Sequence, residues 1–159
     1  MDNTTTMDHA EFTARRSLPM MALRGLTVFP GMMLTFEVER SMSIAALNMA
    51  MSDDQIIYLV PQKDIATDIP TPDDVYGVGT VCRIKQMMKQ PGTKTIRVMA
   101  EDIKRGRTLA VRTDMPCFVA EVEPMPDVQE RKTARTEALV RHCCNLFDAY
   151  VTAFFNFVS

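Results

Sequence analysis

The chain has 159 residues, of which 47% are hydrophobic, and a formal net charge of −2 at pH 7. This length fits one domain, or one domain and the beginning of another, and the apolar fraction is enough for an ordinary core. The acidic balance argues against a surface built for phosphate backbones, so we expect no nucleic-acid partner.

The first 17 residues are polar and lack the continuous apolar stretch of a signal peptide. Residues 1–17 therefore predict a disordered tail, and the protein is expected in the cytoplasm. The four cysteines have no spacing typical of a metal site, and the aspartates of the exposed loop predicted at 61–74 do not match a calcium-binding loop. We expect reduced cysteines and no bound metal.

Residues 18–60 predict a strand, a turn, a second strand, a helix and a third strand. The run 33–40 alternates apolar and polar residues, which is typical of a half-buried strand. It follows Pro30-Gly31, a pair suited to a turn because proline fixes φ and glycine accepts positive φ.

The period of the apolar pattern changes after this strand. Ser41 is predicted to cap a short amphipathic helix. The apolar stripe of this helix has three residues at helical spacing: Ile44, Leu47 and Met51. Aspartates at 53–54 oppose the dipole at its end, so the helix should stop there. The apolar run 55–60 then predicts a strand buried on both faces.

Several motifs in this region and beyond it carry a resemblance to a known family. They are Leu18-Pro19-x-x-x-Leu23-Arg24, Val28-Phe29-Pro30-Gly31-Met32, Arg40-x-x-Ser43-Ile44, Ile57-Tyr58-Leu59-Val60, Gln62-Lys63-Asp64 and Val75-Tyr76-Gly77-Val78-Gly79-Thr80-Val81. Over about residues 18–159 their order and spacing resemble the amino-terminal domain of the bacterial ATP-dependent protease Lon. The resemblance implies an α+β fold with a twisted, mostly antiparallel β-sheet or pseudo-barrel, similar to PUA-like domains. It also implies that one helix packs on this sheet and that the start of a C-terminal helical segment follows.

The rest of the sheet is predicted from three further segments. Residues 74–88 should form the longest strand, and Gln90-Pro91-Gly92-Thr93 fits a type II hairpin turn. A second turn is expected at 101–107, before a third long segment at 108–122.

Two features concern the backbone of this sheet. Gly77 and Gly79 indicate a sharp bend or the close approach of another backbone. Asp102 stands where Lon domains commonly have a glycine, in the pattern Val-x-Gly-x-x-Arg. We therefore expect some strain in the turn predicted there.

Residues 126–159 predict the beginning of a helical subdomain, after a β-rich domain at 18–125. Prolines end the sheet, and Asp127 with Glu130 resembles a capping box. The apolar stripe continues to the last residues without a C-cap, so we expect the helix to continue into a further segment. The last part of this helix, Leu146 to Val158, is too short to span a membrane and contains Asp148. Candidate contacts for that continuation or for another subunit are Leu146, Phe147, Tyr150, Phe154 and Phe157.

The chain has 14 methionines and no tryptophan. Methionine can be a flexible core filler, or it can form a plastic apolar surface that binds many partners. Adjacent pairs in a strand place one member inward and one outward, which favours the second interpretation. The candidate substrate contacts are Met20, Met21, Phe29, Met32, Met33, Met87 and Met88.

The residues show no catalytic arrangement. The run 92–95 lacks the frame of a phosphate-binding loop, and no serine lies in a nucleophile elbow. His142 and Cys143 are neighbours on a predicted helix and diverge by about 100°. We expect a chain that is not an enzyme and holds no cofactor. The resemblance implies a parent ATP-dependent serine protease, whose ATP- and Mg-binding module and serine–lysine protease module would lie outside this chain.

Two functions remain in competition. In the first, the domain recognises unfolded or damaged proteins for the protease. In the second, it is primarily an oligomerisation module of a hexamer. RNA binding is less favoured because no basic stripe with interleaved aromatic residues is present, and an independent enzyme lacks a site.

Overall fold

The structure is a computed structural model, and it describes residues 12–29, 31–128 and 131–158. Contacts within the chain divide it into two units, Met1–Pro126 and Asp127–Ser159. The elements in chain order are β1 (Arg16–Leu23), β2 (Met33–Val38), α1 (Ser41–Met51), β3 (Ile56–Pro61), β4 (Val78–Lys89), β5 (Ile96–Arg112), β6 (Phe118–Pro124) and α2 (Ala134–Val158), with a 3-10 turn at Pro72–Asp74.

The strands form one six-stranded sheet in the order β2-β5-β4-β3-β1-β6. β6 also pairs with β5, so five strands close on themselves and β2 lies outside the closed set. All neighbours are antiparallel except β1 and β3, which are parallel. The predicted α+β fold with a mostly antiparallel, barrel-like sheet and one packed helix is confirmed.

β5 differs from its prediction. The turn expected at 101–107 is absent, and β5 is one strand of 17 residues, longer than β4 with 12. The first half of β5 pairs with β2 and its second half pairs with β6. On its other side, β5 pairs with β4 along most of the length of β5. Register shifts in these pairings interrupt the alternation of buried and exposed side chains. For this reason the sequence pattern predicted a turn where the strand continues. The hairpin at 90–93 is confirmed, with Gly92 at φ +76°.

Two apolar clusters fill the first unit, one on each side of β1 and β3. Met21 and Leu59 belong to the first cluster, which α1 covers, and Met20 and Tyr58 belong to the second. The strand predicted at 55–60 and buried on both faces is confirmed for residues 56–60, whereas Gln55 is exposed and precedes the strand. The same burial makes one prediction wrong. Met20 and Met21 are 1% and 2% exposed, so neither member of this pair faces outward.

α1 forms where it was predicted and ends before the two aspartates at 53–54. Its start is different: Ser41 is the first helical residue, and Arg40 at the N-cap makes no side-chain capping hydrogen bond. The face towards the core consists of small residues and one leucine: Ser43, Ala46, Leu47 and Ala50. Met51 of the predicted stripe is exposed and Ile44 is half-buried, because the small side chains let the helix lie close to the sheet.

The disordered tail predicted at 1–17 is wrong for residues 12–17. Residues 1–11 lie outside the described residues, but Phe12 is 2% exposed and belongs to the second apolar cluster. β1 begins at Arg16, where pairing with β6 starts, and Arg15 donates to Glu123 at 3.0 Å. A single buried aromatic residue thus orders a segment that looks polar in the sequence.

The start of α2 also differs from the capping box predicted at Asp127; its Glu130 lies outside the described residues. The helix begins at Ala134, and the hydroxyl of Thr133 accepts a hydrogen bond from the N–H of Thr136 at 3.1 Å. Thr133 therefore acts as the N-cap, a role that its hydroxyl suits.

Candidate protein-binding surface

An apolar patch lies on the outer face of β2, β5 and β4. Residues directly opposite each other in antiparallel strands share a face. The register places Thr35 opposite Met99, and Met99 opposite Gln86. The next outward-facing pair on one side is Met33 with Glu101, and the next pair on the other side is Met88 with Arg97. Met33, Met99 and Met88 therefore follow a diagonal across one surface.

We call this surface the methionine face and define it as Met33, Met99 and Met88. Met33 is 61% exposed, Met88 is 49% exposed and Met99 is half-buried. Diagonal neighbours in a sheet lie within reach of long side chains. Three unbranched, polarisable thioethers thus form one adaptable apolar surface.

The turn before β2 adjoins the methionine face and presents two more apolar side chains. Phe29 and Met32 are both exposed, Phe29 by 59%. The N–H of Met32 donates to the carbonyl of Phe29 at 3.3 Å, and Gly31 has φ +81°, as a turn with glycine at this position requires. Pro30 lies outside the described residues.

Asp102 fixes this turn against β5. Its buried carboxylate accepts a hydrogen bond from the N–H of Gly31, and its own N–H donates to the carbonyl of Met32 at 3.1 Å. The strained turn predicted at Asp102 is wrong, because the residue lies inside a strand and Gln55 is the one described non-glycine residue with positive φ. A glycine at this position would have no carboxylate. The carboxylate of Asp102 holds the segment that carries Phe29 and Met32.

Ion pairs flank the methionine face. Lys85 contacts Glu101 at 2.6 Å, and Arg97 contacts Glu37 at 3.0 Å. The hydrogen bond from Arg97 is the main cause that lowers the pKa of Glu37. Because both signs of charge are present and paired, the surface has no strong preference for acidic or basic partners.

The predicted substrate contacts divide into three groups. Phe29, Met32, Met33 and Met88 are exposed on the methionine face or in the turn before β2, and Met87 is half-buried against the first apolar cluster. Met20 and Met21 are not part of it, because they lie in the core on opposite sides of β1. Met99 was missed by the sequence prediction, although the alternation of Arg97, Met99 and Glu101 could have found it.

α2 carries a second apolar surface. The five residues predicted on its stripe are each more than half exposed: Leu146, Phe147, Tyr150, Phe154 and Phe157. The rings of Tyr150 and Phe154 stack with centroids 6.4 Å apart. Residues 139, 146, 150 and 157 recur at the spacing of a coiled-coil seam.

Groups that could support chemistry are sparse in the described part of the chain. Within it, no cluster of three or more His, Cys, Asp or Glu side chains could hold a metal ion. Cys82 is buried, and burial is the main cause that raises the pKa of its thiol. Neither described helix combines the length and the apolar character needed to cross a membrane. A closed sheet with an exposed apolar face has the features expected of the class of protein-binding domains.

The sequence comparisons identify the family. The model of the ATP-dependent protease La (LON) substrate-binding domain matches residues 17–156, and the chain therefore belongs to this family. The Lon protease of Clostridioides difficile is 37% identical over 153 residues, which are 94% of this chain and 18% of that protein. The Lon protease of Desulforamulus reducens is 42% identical over 136 residues, 86% of this chain and 16% of its own length. The chain thus spans less than a fifth of these curated relatives.

Solved structures support the fold. The N-terminal domain of a Mycobacterium avium complex Lon protease superposes with a TM-score of 0.71 at 17% identity, covering 89% of this chain and 71% of that one. A Lon N-terminal domain protein from Xanthomonas campestris superposes with a TM-score of 0.57 at 16% identity, covering 76% of this chain and 66% of that one.

Proposed function

We propose that this domain recruits unfolded or damaged proteins by binding their exposed apolar segments on the methionine face and the adjoining turn. The observation that carries the proposal is the diagonal of Met33, Met99 and Met88 beside the exposed Phe29. Folding normally buries such side chains, and a surface patch of this kind marks an interaction site. The family description as a substrate-binding domain agrees with this function.

A recruiter of many substrates needs adaptable contacts instead of one close-fitting pocket. Methionine side chains can repack around different partners, and Asp102 keeps the turn beneath Phe29 and Met32 in place. We expect weak binding to any single segment, with several segments of one substrate engaged together.

The proposal includes a parent protease. The Lon relatives are about six times longer than the matched part, so the catalytic modules would lie outside this chain. These would be an ATPase that uses ATP and Mg²⁺ and a protease with a serine–lysine dyad, assembled as a cytoplasmic hexamer. The present chain would neither hydrolyse ATP nor cleave peptides.

Substitution of the methionine face tests the proposal. We expect the double variant Met33→Ser and Met88→Ser to bind reduced, carboxymethylated α-lactalbumin at least about tenfold more weakly, because each buried thioether contributes on the order of 1 kcal/mol. Fluorescence anisotropy with the labelled probe measures the affinity.

A matched control removes similar apolar area elsewhere. Ile65 and Ile69 are exposed in the loop between β3 and β4, so Ile65→Ser with Ile69→Ser should leave the affinity unchanged. An equal loss in both double variants, or no loss in either, would contradict a specific role for the methionine face.

A second candidate function is oligomerisation, and the α2 stripe favours it. Its apolar residues are exposed, and four of them follow a coiled-coil spacing: Leu139, Leu146, Tyr150 and Phe157. In this alternative the domain mainly contributes subunit contacts to the assembly.

A further inference from the structure

We propose that the free edge of β2 binds an extended segment of unfolded polypeptide as an additional β-strand. This inference rests on the proposed function and specifies how a substrate is held: its backbone pairs with β2, while its side chains reach the methionine face. Strand addition to an exposed sheet edge supplies affinity through main-chain hydrogen bonds.

β2 is the strand at which the sheet remains open. Each of the other five strands has at least two strand neighbours, because β6 returns to β5. β2 pairs with β5 along one side, and among the described residues no strand pairs with its other side. Its six residues therefore present a row of backbone donors and acceptors.

The hydrogen-bond pattern identifies these groups. The N–H of Asp102 donates to the carbonyl of Met32, so this pair is a hydrogen-bonded pair of the antiparallel ladder. Hydrogen-bonded and non-hydrogen-bonded pairs alternate. Leu34, Phe36 and Val38 consequently direct their backbone groups towards β5. The remaining positions direct their N–H and C=O groups to the free edge: Met33, Thr35 and Glu37.

A cleft of about 590 Å³ borders the second half of this edge. Two segments contribute most of its lining: one is Phe36 to Glu39, and the other is Met21 to Arg24 with Leu26. Its size lies in the range of clefts that bind small ligands and short segments. A second copy of this domain would approach β2 with a strand that is already part of a sheet. A cleft lined by two segments of the chain favours a single extended polypeptide instead.

The chemistry of the edge selects unfolded chains. A folded protein has nearly all its buried backbone groups paired, whereas an unfolded segment offers free N–H and C=O groups. Pairing at Met33, Thr35 and Glu37 depends little on the sequence of the segment. Alternate side chains of the added strand would lie on the same face as Met33 and Met99, where apolar residues are preferred.

Substitution of Thr35 tests strand addition most directly. Its N–H points to the free edge, so Thr35→Pro removes an edge donor and leaves the pairing with β5 intact. Thr35→Val keeps the donor and changes only the side chain. With a soluble decapeptide of alternating valine and threonine between lysine ends, we expect Thr35→Pro to bind at least about tenfold more weakly, and Thr35→Val to match the unsubstituted chain.

Two further measurements do not depend on how well the proline variant folds. The amides of Thr35 and Glu37 should exchange rapidly with solvent in the free protein and become protected when the peptide binds. Of two peptides N-methylated at alternate residues in opposite registers, one should bind at least about tenfold more weakly than the other, since only one register faces β2. Equal binding of both peptides, with no new amide protection, would overturn the proposal.

The comparison with the methionine-face variant separates this inference from the proposed function. Normal peptide binding by Thr35→Pro, with weak binding by Met33→Ser and Met88→Ser, would refute strand addition and retain the methionine face. If only Thr35→Pro bound weakly, the result would support strand addition at β2 and refute the role of the methionine face. If sedimentation showed a dimer that Thr35→Pro dissociates, the occupant would be a second copy and the proposal would be wrong.

Discussion

At the scale of single residues, two glycines and one tyrosine show how tightly the barrel is packed. Gly79 and Gly106 are opposite each other in β4 and β5, and the ring of Tyr58 lies against both. A Cβ at Gly79 would lie 2.5 Å from the carbonyl oxygen of Leu59, so the backbone of β3 approaches closely there. The close approach predicted from the glycines is confirmed at Gly79, whereas Gly77 has open space.

We therefore expect Gly79→Ala to destabilise the fold by about 1–3 kcal/mol, the usual cost of overpacking a well-packed core. Urea denaturation followed by circular dichroism measures this change. Gly77→Ala is the matched control, since nothing lies within 4 Å of its added methyl group. Equal stabilities of the two variants would contradict the packing argument.

At the scale of elements, α2 differs from the sheet because its apolar residues remain exposed. The stripe from Leu146 to Phe157 covers one side of the helix, and Arg141 lies on the opposite side. An exposed aromatic stripe drives association in water.

If α2 mediates association, the chain should sediment as a species larger than a monomer as its concentration rises. The double variant Leu146→Ser and Tyr150→Ser should then remain a monomer, because it removes the centre of the stripe. Arg141→Ser introduces serine on the polar side and should associate like the unsubstituted chain. A monomer at every concentration would instead favour substrate recognition as the main function.

At the scale of the whole first unit, closure of the sheet brings together groups far apart in the sequence. The hydroxyl of Tyr58 in β3 donates to the carbonyl of Gly106 at 3.0 Å and lies 3.1 Å from the hydroxyl of Thr108. Burial raises the pKa of Tyr58 above its ordinary value of 10.0. The folded protein therefore holds this proton more tightly than the unfolded chain does.

The pH dependence of stability follows from this shift. The contribution of the protonated Tyr58 is complete below about pH 10 and is lost as the pH rises further. Tyr58→Phe should cost about 1 kcal/mol at neutral pH, since it removes a buried hydrogen bond. At alkaline pH the difference between the two proteins should shrink. Urea denaturation across the alkaline range tests this, and a constant difference would show that Tyr58 does not titrate as described.

The sequence by itself determined the elements whose signals are local. The alternation in 33–40, the helical spacing after Ser41 and the apolar run at 55–60 identified β2, α1 and β3. Proline and glycine at 91–92 identified the hairpin, because turn geometry depends on few residues. The motifs also indicated the family. Four of the seven predicted contacts are exposed, and their role in binding stays a prediction.

Only the tertiary structure decided which side chains are available to a partner. Met20 and Met33 are the same residue type in strands, yet β1 has a core on both faces and β2 on one. Phe12 is ordered by a cluster built from residues distant in the chain, and β5 remains one strand because three other strands pair with it. Periodicity reports the burial of a segment against its immediate surroundings, whereas closure of a sheet depends on contacts between distant segments.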